Sequence, residues 1–346
     1  MTAALALAAG VAGFLLTAGL MGPLRRLAVR WDLTDRSQSR HVRARPIAFL
    51  GGFAIVLGTL LPVLAVLGVS DRRVTAILVA AVAVAFLGLV DDVRPLPVAT
   101  RLIAESLAAG LVVASGVQIT FTGQWMDGPV TVMWIVVITN SFNLLDNMDG
   151  ALGGVTVVTA VVLVGSALVG AQAPLAMLVF ALACAALGFL THNWAPARMH
   201  MGGSGSLFIG FVLTCSSIAL VTGAGPDTIC AGLLLPAFVA VVDTGVVLVS
   251  RLLAGRPLLI GGADHVSHRL RRAGIGARGV ASALTVAAAV SGSLGLTVAL
   301  GWASPLTVAA VAGSTAVILI GVMQGVDVYA PARPVSDLAQ LTRRRW

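Results

Sequence analysis

Apolar residues run along this chain in long blocks separated by short polar segments. A helix needs about 20 mainly apolar residues to cross the hydrocarbon core of a bilayer. Eleven segments meet that requirement: 3–22, 47–69, 74–90, 102–117, 129–145, 152–171, 174–191, 205–223, 229–250, 280–300 and 304–324. The pattern predicts an all-α integral membrane protein with about 11 transmembrane helices. It shows no soluble domain, no internal repeat, no low-complexity linker and no nucleic-acid motif. The expected organisation is one polytopic domain over 1–325 followed by a basic tail over 326–346. The first apolar block is long and has no basic leader, which reads as a retained span rather than a signal peptide.

Composition strengthens this reading. Of the 346 residues 58% are apolar and 10% charged, and the mean hydropathy is +1.00. Average soluble proteins carry roughly 25% charged residues. A chain this poor in charge cannot cover itself with polar surface, so a soluble enzyme and a disordered chain are both excluded. Cys184, Cys215 and Cys230 lie in apolar stretches without motif spacing, which suggests neither a disulfide framework nor a metal cluster.

The net charge of +8 comes from arginine alone, since the chain contains no lysine. Alternating the loops between the two sides of the membrane places twenty of the 22 arginines on one side and only Arg72 and Arg73 on the other. The arginine-rich side is then cytoplasmic, the N-terminus outside and the C-terminus inside. All five histidines fall on the same cytoplasmic face, with Asp32, Asp35, Asp91, Asp92, Asp146, Asp149, Asp264 and Asp337. Active-site loops are expected there, and the segments 23–46 and 251–279 are long enough to hold a polar substrate.

Four polar groups carry candidate chemistry. Asp91 and Asp92 end the third span; adjacent carboxylates repel, and a divalent cation with a taste for oxygen ligands would relieve them. Asn140, Asn143, Asp146 and Asp149 recur every third residue at the end of the fifth span, which keeps them on one drifting helical face. Such polar groups at a span's end are expensive unless they meet a partner. Met201-Gly202-Gly203-Ser204-Gly205-Ser206 opens the eighth span and reads either as a flexible turn or as backbone N–H groups offered to phosphate at a helix N-terminus. His265-Val266-Ser267-His268-Arg269 sits among arginines, as a solvated basic loop or as donors to an anionic phosphate. Asp243 in the ninth span and Glu105, the only glutamate, each need a partner if buried.

Taken in order, these segments resemble the polyprenyl-phosphate N-acetylhexosamine-1-phosphate transferases, a superfamily that includes the phospho-MurNAc-pentapeptide and the polyprenyl-phosphate GlcNAc-1-phosphate transferases. The similarity runs from about residue 32 to 280 and rests on named segments. They are Gly51-Gly52, Asp91-Asp92 with Leu96, Arg101 and Leu102, and Asn140-x-x-Asn143-x-x-Asp146-x-x-Asp149-Gly150. Gly188-Phe189-Leu190-x-x-Asn193-x-x-Pro196-Ala197 follows, then Met201-Gly202 with Ser204-Gly205-Ser206, Asp243-Thr244 and His265-x-x-His268-Arg269-Leu270. The last motif looks closer to the GlcNAc branch.

The resemblance implies transfer of a sugar 1-phosphate from a UDP-sugar to a polyprenyl phosphate at the plasma membrane, with release of UMP and a need for Mg²⁺ (or Mn²⁺). It implies that Asp91 and Asp92 serve acceptor deprotonation or metal positioning, and that Asn143 and Asp146 line the metal–diphosphate site. Asp149 would contact uracil, while His265, His268 and Arg269 would hold diphosphate or sugar. Asn140, Asn193, His200, Ser204 and Ser206 complete the expected substrate-binding set. Membrane lipid and, by the same resemblance, a homodimer are the expected partners. The chain departs from the family pattern at four places. Gly203 stands where the family has a metal-binding aspartate, and His200 replaces an aromatic residue. Arg40-His41-Val42-Arg43 lacks the usual lysine, and Ser267 replaces the middle histidine. An active transferase with a rearranged metal site, a catalytically silent homologue that binds polyprenyl phosphate or UDP-sugar, and a transporter are the readings these departures leave open.

Overall fold

The computed structural model describes residues 3–31, 34–35, 47–48, 50–258 and 262–329. The Arg40–Arg43 group of the first loop and the arginines of the tail lie outside the described residues. Twelve helices are present among those described: α1 (Ala3–Arg30), α2 (Gly51–Leu67), α3 (Arg72–Val93), α4 (Val98–Ala114), α5 (Asp127–Leu145), α6 (Ala151–Val169), α7 (Ala173–Asn193), α8 (Gly202–Val221), α9 (Pro226–Leu253), α10 (Val266–Arg272), α11 (Ala277–Ala299) and α12 (Pro305–Gln324). One two-residue antiparallel pairing joins β1 (Thr34–Asp35) to β2 (Ile47–Ala48).

Apart from the short α10, each helix corresponds to one expected span, with shifted ends. α1 runs on to Arg30 and α9 to Leu253, past the expected ends at 22 and 250. Nine of the helices are long and apolar enough to cross a bilayer. The two that fall short are α2 and α4, of 17 residues each, and α4 also carries Arg101 and Glu105. Helix starts follow local chemistry. The Asp71 side chain accepts from the Val74 N–H at 2.9 Å to cap α3, and Ser304 caps α12 ahead of Pro305.

α8 is the central helix, buried along nearly its whole length between α3, α5, α9, α2 and α6. Around it α1 packs on α7 and α2, α6 on α7 and α11, and α12 on α9. Helices approach this closely in a bilayer where small residues line the seam. A Cβ on Gly52 would lie 2.2 Å from the Gly205 nitrogen, and one on Gly88 2.4 Å from the Gly203 oxygen. The Gly51 and Gly52 N–H groups also donate to the His200 and Met201 carbonyls, at 3.1 and 2.9 Å. The first turn of α8 is therefore clamped between α2 and α3, and the polar residues around it inherit that rigidity.

Candidate active site

The C-terminal ends of α3 and α5 meet the N-terminus of α8. Asp92, in the last turn of α3, accepts the Gly203 N–H through both carboxylate oxygens, at 2.8 and 3.1 Å. An amide that the sequence offered to phosphate is thus occupied by a carboxylate, which suits the positive end of a helix dipole. Asp91 points to other partners: the Arg101 guanidinium at 3.0 Å and the Leu96 N–H at 2.8 Å. Within the protein the adjacent aspartates are met separately, one by the Arg101 guanidinium and one by a helix terminus.

The three-residue repeat divides. Asn140 and Asn143 lie in the last turns of α5, which stops at Leu145, so Asp146 and Asp149 reach the site from the turn beyond rather than from one helical face. Asn143 accepts a hydrogen bond from the Ser206 hydroxyl at 2.7 Å, which ties α5 to α8. Asn140 donates to Glu105, giving that buried glutamate the partner it requires. Asp149 accepts the Ala197 N–H at 2.9 Å. Asp146 lies well above the usual carboxylate range, because burial and then the negative charges of Asp92 and Asp149 disfavour its ionised form.

α10 supplies the other wall. His265 Nδ1 meets Asp243 at 2.8 Å, and the second Asp243 oxygen accepts the Val266 N–H at 2.8 Å, so the buried carboxylate of α9 both orients a histidine and caps a helix. The His265 and His268 rings stand 5.7 Å apart, and burial followed by the neighbouring His265 charge holds His268 below the usual histidine range. Ser267, where the family carries a histidine, hydrogen-bonds through its hydroxyl to Asn147 and so ties α10 to the Asp146 turn.

Two of the expected substrate contacts have partners within the fold. Arg269 is 2% exposed and turns inward, donating to the carbonyls of Asp264, Met323 and Val326 and to the Ser250 hydroxyl. Its guanidinium is consumed by the fold because α10 is too short to hold itself against α9 and α12. Asn193 is likewise buried, with its amide spanning the Gly150 N–H and the Met199 carbonyl at 2.9 Å each. Ser204 is buried with its hydroxyl unpartnered among the described residues, and His200 is half-buried with its carbonyl on Gly51. Asn147, Arg251 and Tyr329 had no motif to announce them. Tyr329 is the only tyrosine of the chain, the one signal that singled it out.

An apolar groove opens beside these groups. A cavity of about 280 Å³ lies between α4, α5 and α9, walled by Val98, Leu102, Val136, Val137, Val247 and Leu248. Its polar lining includes Arg101, Asn140 and Asn143, the same residues that contact Asp91, Glu105 and Ser206.

The donor set fits a hard divalent cation. Burial and then the Asp92 charge disfavour the ionised form of Asp146, and a cation held by both carboxylates would offset their repulsion. Among the described residues no three His, Cys, Asp or Glu side chains gather into a metal cage. Mg²⁺ is commonly bound by one or two carboxylates, with its shell completed by water and substrate phosphate. Carboxylate oxygens suit Mn²⁺ as well.

Residues 74–221 match the profile described as glycosyl transferase family 4. A Streptomyces coelicolor protein named as a glycosyltransferase is 40% identical over 335 residues, covering 93% of this chain and 77% of the relative. A Bacillus subtilis protein named as an undecaprenyl-phosphate N-acetylglucosaminyl 1-phosphate transferase is 30% identical over 278 residues, 76% of this chain and 77% of its own length. The Mycobacterium tuberculosis decaprenyl-phosphate N-acetylglucosaminephosphotransferase is 29% identical over 310 residues, 77% of this chain and 75% of its own length. With nine helices fit to cross a bilayer, the chain is a multi-pass protein of the cell membrane, and it belongs to glycosyl transferase family 4.

Proposed function

We propose that this protein transfers an N-acetylhexosamine 1-phosphate from a UDP-sugar to a polyprenyl phosphate, releasing UMP, as the first membrane step of a cell-envelope glycan. The observation that carries the reading is the junction of an apolar groove with a cluster of half-buried carboxylates at one end of the bundle. A polyprenyl tail suits the α4–α5–α9 groove, and its phosphate would stop at the rim beside Arg101, Asn140 and Asn143. The nucleotide would arrive from water, with Asp149 and His200 toward the base.

In the reaction an oxygen of the acceptor phosphate attacks the phosphorus that carries the sugar. The bond from that phosphorus to UMP breaks, and UMP leaves with the electron pair. Asp146 and Asp92 would hold Mg²⁺, which supplies a counter-charge to the diphosphate. Asp92 is fixed in place by the Gly203 N–H and needs no reorganisation as charge develops. His265, oriented by Asp243, and His268 would donate to the diphosphate or sugar. Arg269 acts at one remove, by holding α10. The match of eleven helices to the expected spans and the arginine distribution support a cytoplasmic face for this end, with the N-terminus outside.

Gly203 favours a second reading, a silent homologue that keeps the site and has lost the chemistry. A side chain at 203 would start 3.0 Å from the Asp92 carboxylate, so an aspartate there requires Asp92 to shift. The deciding measurement is UMP release by purified protein with polyprenyl phosphate, Mg²⁺ and a panel of UDP-sugars, with Asp92→Ala as the blank. Release above the blank is expected. Release from Gly203→Asp alone, with none from wild type, would establish the silent reading.

A further inference from the structure

The chain does not leave its site when α12 ends. Residues 325–329 turn back over the cytoplasmic-end loop and are fastened to it at several points. Arg269 donates to the Met323 carbonyl at 2.6 Å and the Val326 carbonyl at 2.5 Å, and Arg272 to the Asp327 carbonyl at 2.8 Å. The Tyr329 hydroxyl donates to Asp264 at 2.8 Å, while the Arg256 guanidinium lies 4.0 Å from the centre of the Tyr329 ring. Asp264 is buried and accepts Arg251 through two parallel bonds of 2.7 and 2.9 Å. Its neighbour in sequence is His265, whose ring is set by Asp243.

The C-terminal segment is therefore anchored on the residue directly before the histidine of the site. Asp264 is held from three directions: Arg251 of α9, Tyr329 beyond α12, and Arg269 through the Asp264 carbonyl. Fixing the Asp264 backbone and side chain fixes where the chain delivers His265 to Asp243. Bidentate guanidinium–carboxylate pairs are the geometry that imposes such orientation. The stacked Arg256 keeps the Tyr329 ring over the loop, so that its hydroxyl stays on Asp264.

We propose that residues 325–329 form a C-terminal clasp that positions His265, with Tyr329 and Asp264 as its positioning residues. The proposal rests on the transferase reading only for what His265 does, not for where it is held. His265 is 4% exposed, so its reactivity toward diethyl pyrocarbonate reports whether the clasp is closed, with no need for turnover.

The test uses the full chain in lipid nanodiscs, as wild type, Tyr329→Phe and Tyr329→Ala. Modification of His265 is followed by mass spectrometry, beside melting temperature and steady-state UMP release. In Tyr329→Ala the His265 modification rate is expected to rise about tenfold and kcat to fall about tenfold. KM for the lipid and the melting temperature should stay near wild type, and Tyr329→Phe, which keeps the ring under Arg256, should fall between. Unchanged His265 reactivity in Tyr329→Ala would overturn the proposal. So would a large loss of melting temperature, because the segment would then serve global stability. If wild type releases no UMP the transferase reading fails, and the His265 modification rate still decides on the clasp.

Discussion

The two walls of the site handle charge in opposite ways. On the α10 wall the buried charges described are answered within the protein: Asp264 by Arg251 and Tyr329, Asp243 by His265 and the Val266 N–H, Arg269 by carbonyls and a hydroxyl. On the α5 wall Asp146 is pushed up by burial and then by the charges of Asp92 and Asp149. A saturated wall is a scaffold, because its groups have nothing left to give a ligand. A wall whose carboxylate is disfavoured in its ionised form keeps capacity for a positive charge that binds. On the proposed function the reacting phosphates would sit on the α5 side, with His265 and His268 as the groups that α10 would offer them.

Neutralising Asp146 breaks this comparison most strongly. Asp146→Asn removes repulsion in the free protein, so its melting temperature should equal or exceed that of wild type. The same change should cut UMP release about 100-fold or more, the scale of losing a charge that stabilises a transition state. Thermal melting and turnover measured on one preparation check both halves. A parallel loss of stability would show that Asp146 is structural, and the contrast between the walls would disappear.

The saturated wall should answer in the opposite order. Arg251→Ala strands a buried carboxylate, which typically costs about 3 kcal/mol or more. Unfolding monitored by heat or denaturant should show that loss directly, with reduced yield of folded protein. The pair also carries a pH signature. Burial raises Asp264, but the Arg251 and Tyr329 hydrogen bonds outweigh it and bring the carboxyl to about 2. A folded-state value below the unfolded one contributes stability above about pH 4, and that stability is lost as pH falls toward 2. Wild type should therefore lose stability on acidification through that window, while Asp264→Asn should show a flatter profile there.

How far the sequence revealed this arrangement depended on whether a group's partner was near it in the pattern. Span positions were legible because burial in lipid imposes length and apolarity on every helix, and the segments from α3 to α12 fell close to their expected places. Asp91, Asp92 and the Asn140–Asp149 series were legible as a cluster, since polar residues at a span's end demand partners. The partners themselves were not. Nothing in Gly203 announces that its N–H holds Asp92 from 111 residues away, and Arg269 looks like a phosphate donor until α12 is seen to lie against it. The helix end at Leu145 was also hidden, because a three-residue repeat continues across it unbroken.

The mildest perturbation tests the seam between α5 and α8. Ser206 is fully buried, and its single hydroxyl hydrogen lies between two acceptors, the Asn143 amide oxygen at 2.7 Å and the Gly202 carbonyl at 3.0 Å. Ser206→Ala removes that donor and leaves the α8 backbone clamped by Gly52 and Gly88, so Asn143 keeps its place but loses the bond that fixes its amide. A neutral hydrogen bond of this kind is worth about 1 kcal/mol. The expected result is a kcat about fivefold lower, with KM for the lipid and thermal stability near wild type. Asn143→Ala should lose more, because it also takes a polar group from the rim of the groove. If Ser206→Ala matches wild type while Asn143→Ala is impaired, the amide is oriented by the ligand and not by α8. If the two are equally impaired, Asn143 matters only through its bond to Ser206, and the rim contact on the α5 wall has to be sought in Asn140.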